Sequence, residues 1–322
     1  MKENMNEIKA INKKLNNFLE NDLSLLQFYG RPFQSNSIFS EIISKIVEKG
    51  GHILYIWGYE NLSKEIYRQI GNKGKIAYSV NGLSEANLVF MSFKHTYNIS
   101  RDYDLIIIDD VSTYFKINEF AVEGLYNKCK VHSKKIIIYG IQSCSFNQDG
   151  IDLSSLNVRE RFLEPRVITT RIDLKKDIPY SLYDYILWFK NRRSKVVFWV
   201  PYADDVESLY HYYLKEINLD NVKIIKETEY KNDLNIKDRA IFIITNNMEA
   251  LCNISRLDGI VALFADNNKL DYKKIIYMCG QITTKTGEVI LVSRNETEEI
   301  ERARKLTRNF NKKLWDEKFS MY

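Results

Sequence analysis

Cysteine is scarce in this sequence, and its spacing excludes the common zinc modules. The 322 residues contain four cysteines, and no two of them lie within ten positions of each other. Structural zinc sites usually take pairs of cysteine or histidine ligands about two to four residues apart. None of the four histidines stands beside a cysteine pair or in an H-E-x-x-H motif. We therefore expect no metal site, and the scattered cysteines favour a reducing, cytoplasmic location.

Long apolar runs are also absent. No run approaches the roughly 18 residues that a membrane-spanning helix needs. Residues 1–15 are charged and lack the apolar core of a signal peptide. The sequence therefore predicts neither a membrane span nor a secretory leader.

Charge of neither sign dominates. Lysine and arginine number 47 against 42 aspartates and glutamates, which gives a formal charge of +5 and a pI of about 8.7. Such a mild excess permits a polyanionic partner without requiring one, because nucleic-acid binding depends on how cations cluster. The basic residues that could contact single-stranded DNA are Lys94, Arg161, Arg166, Arg192 and Arg193. The alternative is that they form an ordinary solvated surface.

Two sets of alternating strands and helices predict an α/β protein with parallel sheets. The apolar runs that predict strands lie at residues 52–57, 75–80, 87–93, 105–108 and 135–139, and then at 195–200, 222–226, 239–245, 259–264 and 288–292. Helical spacing of apolar residues over 1–28 and 296–318 predicts leading helices and a terminal helix. We predict a helical extension over residues 1–40, a first domain over 41–158, a linker over 159–176 and a second domain over 177–322.

The most informative segment is LIIIDD, residues 105–110. A short apolar run that ends in two carboxylates is typical of a buried parallel strand that carries acids at its carboxyl end. In P-loop ATPases an acid at this place, the Walker B motif, holds Mg²⁺, and a second acid orients water. Asp109 matches the metal ligand, and Asp110 replaces the longer glutamate. The alternative is that both acids face solvent or cap the next helix.

The order of several short segments resembles that of the late competence protein ComFA family, helicase-like ATPases of superfamily two that are linked to DNA uptake. Residues 104–111 (DLIIIDDV) are similar to the family's D-L-x-I-I-D-E-V, and residues 197–201 (VFWVP) resemble the strand that opens its second domain. Residues 161–165 look like its inter-domain stretch, and residues 286–290 (TGEVI) look like its ending. The resemblance implies two tandem RecA-like domains of the P-loop NTPase type, with DEAD/DEAH-related helicases as relatives.

The chain departs from this family at the residues that handle ATP. No G-x-x-x-x-G-K-S/T motif occurs, and the family's phosphate loop, the Walker A motif, maps to residues 57–65 (WGYENLSKE). Ser63 stands there in place of the lysine, and Lys64 comes one position late. Gln281 occupies the place of an arginine finger, a group that contributes about 10³–10⁵ in rate.

These departures predict a degenerate ATPase that requires no cofactor. We expect it to act by binding single-stranded DNA, a competence-type partner protein, or both. Under the alternative hypothesis, ATP and Mg²⁺ bind at a divergent phosphate loop and drive a DNA translocase or helicase.

Overall fold

The computed structural model divides the chain into two compact units. It describes residues 2–81, 84–111, 119–144, 150–154, 156, 161–217, 219–230, 238–248, 251, 254, 256–282 and 284–319. Unit 1 comprises Met1–Arg161 with Lys312–Tyr322, and unit 2 comprises Phe162–Asn311. The first division, after Arg161, falls inside the segment 159–176 that we predicted to be a linker. The second division, after Asn311, places the end of the predicted second domain, 177–322, in unit 1.

Unit 1 is built on a parallel sheet whose described strands have the order β3-β4-β2-β5-β6-β1-β7. Its strands are β1 Leu25–Tyr29, β2 Ile53–Trp57, β3 Ile76–Tyr78, β4 Leu88–Ser92, β5 Leu105–Ile108, β6 Ile136–Gly140 and β7 Ile151–Asp152. Its helices are α1 Lys2–Glu20, α2 Ser35–Glu48, α3 Lys64–Ile70 and α4 Glu119–His132, with a 3₁₀ helix over Phe93–Asn98.

Unit 2 has a second parallel sheet, with the order β10-β11-β9-β12-β13-β8 among its described strands. Its strands are β8 Arg166–Thr169, β9 Lys195–Trp199, β10 Val222–Lys226, β11 Ala240–Thr245, β12 Gly259–Leu263 and β13 Glu288–Ser293. Its helices are α5 Tyr180–Asn191, α6 Ala203–Tyr212 and α7 Tyr272–Gln281, and α8 Glu298–Phe319 begins in unit 2. The α/β prediction with parallel sheets is confirmed.

The central strands form because their residues are apolar throughout and can be covered on both faces. All residues of β2, β5 and β6 are buried. Alternate residues face opposite sides, so Tyr55 and Ile107 join the core beneath α1, α2 and α3, whereas Ile56 and Ile108 join the core beneath α4. The carboxyl ends of the strands consequently meet at one edge between two helical layers.

The helical prediction for the end of the N-terminal segment is wrong. Helix α1 ends at Glu20, and the chain then forms β1, which pairs with β6 on one side and with β7 on the other. The ammonium group of Lys135 donates hydrogen bonds to the carbonyl oxygens of Phe18 (2.8 Å) and Leu23 (2.9 Å), where α1 stops. The predicted extension over residues 1–40 thus contains a strand of the first sheet.

The structure also bears on the predictions about membrane spans and about the linker. No helix in the described ranges combines the length and the apolar character that crossing a membrane requires. Residues 159 and 160 of the predicted linker lie outside the described residues.

Gly30, directly after β1, tests how tightly unit 1 packs around the start of α2. A Cβ atom there would lie 2.7 Å from Gln34 Oε1, 2.9 Å from the Tyr139 hydroxyl oxygen and 3.3 Å from the Leu153 carbonyl carbon. We expect Gly30→Ala to lower the free energy of unfolding by about 1–3 kcal/mol, measured by urea denaturation.

Gly124 offers a matched control. A Cβ atom added at this position in α4 would meet nothing within 4 Å, and alanine favours a helix interior by about 0.5–1 kcal/mol over glycine. Gly124→Ala should therefore raise the stability slightly. Equal effects of the two substitutions would contradict the packing described for Gly30.

Candidate functional site

Two buried carboxylates lie at the carboxyl edge of the first sheet. Asp109 and Asp110 follow β5 directly, and each is 4 % exposed. Strand β5 lies between β2 and β6, which places the acids in the middle of that edge. Asp110 has a φ of 44°, a left-handed conformation that is uncommon outside glycine, although aspartate adopts it more readily than most residue types.

Groups from β2, from the start of α2 and from the loop that precedes α2 converge on this acid pair. The Tyr55 hydroxyl of β2 donates a hydrogen bond of 2.5 Å to Asp109 Oδ2. Ser35, the first residue of α2, also hydrogen-bonds the Asp109 carboxylate. The backbone N–H of Phe33 donates to Asp110 Oδ2 at 3.4 Å. Residues 30–34, which we call the β1–α2 loop, therefore contact Asp110, and the residue that follows them contacts Asp109.

Burial changes the acidity of these groups. Loss of hydration and the negative charge of Asp110 together raise the pKa of Asp109 to about 7, against the opposing effect of the hydrogen bonds from Ser35 and Tyr55. Burial also raises the pKa of Tyr55 and Tyr139 well above the usual range. Both phenols therefore remain hydrogen-bond donors at neutral pH.

The backbone N–H groups of the β1–α2 loop are hydrogen-bonded to other groups of the protein. The Gly30 N–H bonds to the Gly140 carbonyl oxygen (2.9 Å), and the Arg31 N–H bonds to Gln34 Oε1 (3.2 Å). The Gln34 N–H reaches back to the Arg31 carbonyl oxygen (3.4 Å), and Pro32 has no N–H to offer. With the Phe33 N–H directed at a carboxylate, each backbone donor of this loop has a partner within the protein.

Side chains then fix the loop in this closed form. The Tyr139 hydroxyl donates to the Arg31 carbonyl oxygen at 2.6 Å, and Gln34 Nε2 donates to the Leu156 carbonyl oxygen. Arg31 is 7 % exposed, and burial lowers its pKa to about 10, so it remains a cation at neutral pH. Phe33 adopts a φ of 64°, which is strained for an aromatic residue.

Sequence reasoning missed this loop. Residues 30–37 read GRPFQSNS, which matches G-x-x-x-x-G-K-S/T at Gly30 and Ser37, with Ser35 and Asn36 in place of the second glycine and the lysine. The signal was a glycine directly after a short apolar run, with a hydroxyl residue seven positions later. Helical spacing across residues 1–28 concealed the strand that precedes it.

Residues 30–34 do not form an open phosphate cradle in this structure. A phosphate cradle requires several free N–H groups that converge on one anion, together with a lysine. The N–H groups of Gly30, Arg31 and Gln34 are used within the protein, and the Asp110 carboxylate takes the Phe33 donor. Asn36 stands at the position of the lysine.

The residues predicted to form the phosphate loop have a local structural role. Ser63 caps α3, where its Oγ accepts a hydrogen bond of 3.3 Å from the Ile66 N–H. Lys64 begins α3, and its side chain lies outside the described part of the structure. The ammonium group of Lys94 pairs with Glu60 at 3.2 Å. The acid pair thus gains its described contacts from the β1–α2 loop and β2.

The predicted site residues near or in unit 2 are spread over several places. Gln281 is the last residue of α7 and is partly exposed, and Arg161 is exposed at the end of unit 1. Arg166 begins β8, and its Nε donates to Glu288 Oε2 at 2.8 Å.

Arg192 and Arg193 are exposed immediately before β9, at the amino edge of the second sheet. The Arg192 guanidinium lies over the Trp188 ring, 4.7 Å from its centroid, and donates to Thr286 Oγ1. These cations therefore belong to the edge opposite the carboxyl ends of the strands in their own sheet.

The raised pKa of Asp109 predicts a dependence of stability on pH. The folded state holds this proton up to about pH 7, whereas an unfolded aspartate loses it near pH 4. The resulting stabilisation is complete below about pH 4 and is lost as the pH rises through 7. Asparagine cannot ionise, so the Asp109→Asn variant does not lose this stabilisation. The difference in unfolding free energy between the variant and the unmodified chain should therefore increase with pH up to about 7, by at most about 1.4 kcal/mol per pH unit. Urea denaturation between pH 5 and 8, with the exposed Asp184→Asn as the background variant, measures this; a gain independent of pH would contradict it.

Comparison with known proteins supplies structural matches only. No protein-family model and no curated protein sequence matches the chain. A structure of RecG bound to a three-way DNA junction matches 94 % of this chain at 12 % identity and a TM-score of 0.57. Dbp5 of S. cerevisiae bound to RNA and ADP BeF3 matches 93 % at 10 % identity and a TM-score of 0.59. The Escherichia coli DEAH/RHA helicase HrpB matches 91 % at 12 % identity and a TM-score of 0.55.

The coverage of the matched proteins differs. The matched region spans 86 % of the Dbp5 chain, but less than half of RecG (45 %) and of HrpB (43 %). Identities this low show the fold alone. The chain has two tandem RecA-like α/β domains, the fold of the structures that it matches.

Proposed function

We propose that this helicase-fold protein binds single-stranded DNA without efficient hydrolysis of ATP. The observation that carries the proposal is the hydrogen bond from the Phe33 N–H to the Asp110 carboxylate. An internal anion occupies the donor that a phosphate oxygen would need. The motif resemblance to ComFA favours a setting in DNA uptake or processing, with a competence-type partner protein.

Electrostatics supports loss of the nucleotide. A carboxylate and a phosphate charge about 4 Å apart repel each other by ~4 kcal/mol at an effective dielectric constant of about 20. The Asp110 carboxylate that accepts the Phe33 N–H therefore also disfavours a phosphate beside it through its charge.

Hydrolysis assays test this part directly. We expect no ATP hydrolysis, with or without single-stranded DNA, above the background set by the Asp109→Asn variant. The physical reason is that neither the γ-phosphate nor Mg²⁺ is held. If DNA stimulates ATP hydrolysis and the Asp109→Asn variant loses this hydrolysis, the alternative of an ATP-driven translocase would be established instead.

Cations along the amino edge of the second sheet support binding of DNA. Five neighbouring strands each begin at or shortly after an exposed basic residue. We call this set the amino-edge row: Arg239 before β11, Arg192 and Arg193 before β9, Arg256 before β12, Lys285 before β13, and Arg166 at the start of β8. Strands lie about 4.8 Å apart, so the row extends over roughly 20 Å, which is long enough for contacts to several phosphates.

Acidic groups at this edge are partly neutralised. Glu288 is paired with Arg166, and Asp258 Oδ2 accepts a hydrogen bond of 2.9 Å from the Lys195 N–H. Asp238 is exposed beside Arg239 and offsets part of the positive charge. The balance along the row remains positive, and phosphate contacts require only cations and N–H donors.

Charge reversal of two members of the row tests this surface. We expect Arg192→Glu with Arg193→Glu to weaken binding of single-stranded DNA and to reduce the slope of log affinity against log salt by about 1.4, because each lost phosphate contact removes about 0.7. Fluorescence anisotropy at several salt concentrations measures both effects.

The control reverses two exposed cations after β8, at the other edge of the same sheet: Arg171→Glu with Lys176→Glu. This pair should leave the affinity within about twofold of the original value, apart from the general change in net charge. Equal effects of the two double variants would show that the amino-edge row is only a solvated surface. A larger effect of the control pair would assign DNA to the carboxyl edge.

A further inference from the structure

A cavity of about 300 Å³ opens at the carboxyl edge of the second sheet, where β8, β12 and β13 end. Its polar lining comes from Ser293, the last residue of β13, and from residues that follow the three neighbouring strands: Thr170, Asp266, Asn267 and Arg294. In parallel α/β sheets, ligands bind outside the carboxyl ends of the strands. The volume equals that of about ten water molecules, so the cavity can hold a small molecule.

One buried group in the cavity is left without a partner. Ser293 is 1 % exposed, and its Oγ has no hydrogen-bond partner in the described part of the protein. A buried polar group without a partner destabilises a protein by about 1–3 kcal/mol. A ligand oxygen in the cavity would satisfy this hydroxyl.

The polar groups of the cavity are held in position by the backbone. The Thr170 N–H donates to the Ser293 carbonyl oxygen at 2.9 Å, which joins the end of β8 to the end of β13. Asp266 Oδ2 accepts a hydrogen bond of 3.2 Å from the Arg294 N–H, so the carboxylate is oriented. Phe264 has a φ of 55°, a strained conformation for an aromatic residue, and strain of this kind concentrates at functional sites.

The cavity offers a cation beside hydroxyl groups, a carboxylate and an apolar wall, and these three surfaces define the chemistry of its ligand. Arg294 is exposed at the cavity and lies beside two hydroxyl groups, Thr170 and Ser293, a combination that suits an anionic oxygen group such as a phosphate. Asp266 can only accept when ionised, and sugar hydroxyls are donors that carboxylates recognise.

Apolar side chains complete the cavity wall. Leu174 is buried, Phe264 is half-buried and Ile172 is 37 % exposed, and all three line the same space. An aromatic ring beside aliphatic groups provides a surface against which a flat base can pack.

We propose that this cavity binds a nucleoside monophosphate, with the phosphate at Arg294, Ser293 and Thr170, a sugar hydroxyl at Asp266, and the base against Phe264. The same chemistry has two sources, a free mononucleotide and the 5′-phosphorylated end of a DNA or RNA strand. The proposal does not depend on the amino-edge row, which lies at the opposite edge of the sheet.

Calorimetry with AMP and dAMP on the full chain tests the proposal, with adenosine, ribose 5-phosphate and inorganic phosphate as fragments. We expect saturable binding of a mononucleotide, and at least about tenfold weaker binding of adenosine and of inorganic phosphate. Arg294→Gln should weaken mononucleotide binding about tenfold or more, because a hydrogen bond to a charged group is lost. Ser293→Ala should weaken it to a smaller extent.

Arg171→Gln is the matched control, because Arg171 is exposed next to Thr170 but does not line the cavity. It should leave the affinity within about twofold. Single-stranded oligonucleotides with and without a 5′-phosphate distinguish the two sources: a preference for the phosphorylated end indicates a strand terminus, and its absence indicates a free mononucleotide.

Three results would overturn the proposal. They are no saturable binding of AMP or dAMP at millimolar concentrations, unchanged affinity in Arg294→Gln, and inorganic phosphate that binds as tightly as the mononucleotide. Thermal unfolding of each variant shows whether the fold is intact. Reversal at Arg192 and Arg193 should leave mononucleotide binding unchanged, so failure of the DNA surface and failure of the cavity can be told apart.

Discussion

The contact between the β1–α2 loop and the acid pair fixes the carboxyl edge of the first sheet. The Phe33 N–H donates to Asp110, and Ser35 hydrogen-bonds Asp109, so the start of α2 is held by carboxylates of the protein itself. The end of β6 stabilises the same arrangement through Tyr139, whose hydroxyl donates to the Arg31 carbonyl oxygen. We propose that this arrangement keeps a phosphate away from the edge of the sheet.

The fold was largely readable from the sequence because the central strands are apolar and short. Segments such as LIII at β5 and IIIYG at β6 have no helical alternative of comparable length, and their flanking polar residues mark the strand ends. The first strand was missed because Leu25–Tyr29 follows α1 closely and its apolar residues continue the helical spacing. Only pairing with β6, which is distant in sequence, distinguishes a strand from another helical turn.

That single error displaced the candidate site. With β1 read as a helix, HILYIW became the first strand, and the phosphate loop was assigned to Ser63 and Lys64. The acid pair lies at the carboxyl end of β5, where the sequence places it, but its partners come from distant parts of the chain, Tyr55 through β2 and Phe33 through the β1–α2 loop. The surroundings of the basic residues likewise depend on contacts between distant parts of the chain. Arg166 is paired with Glu288, and the row of at least one cation before each of five strands is visible only once the strand order is known.

Backbone amide spectroscopy addresses the closed loop most directly. In a ¹⁵N-labelled sample, the amide signals of Arg31, Phe33 and Gln34 report whether any anion enters the loop. Because these N–H groups are already bonded within the protein, millimolar ATP with Mg²⁺ should leave the three signals in place. Saturable shifts of all three, together with loss of the hydrogen bond between Phe33 and Asp110, would contradict it and make the first domain a nucleotide-binding domain.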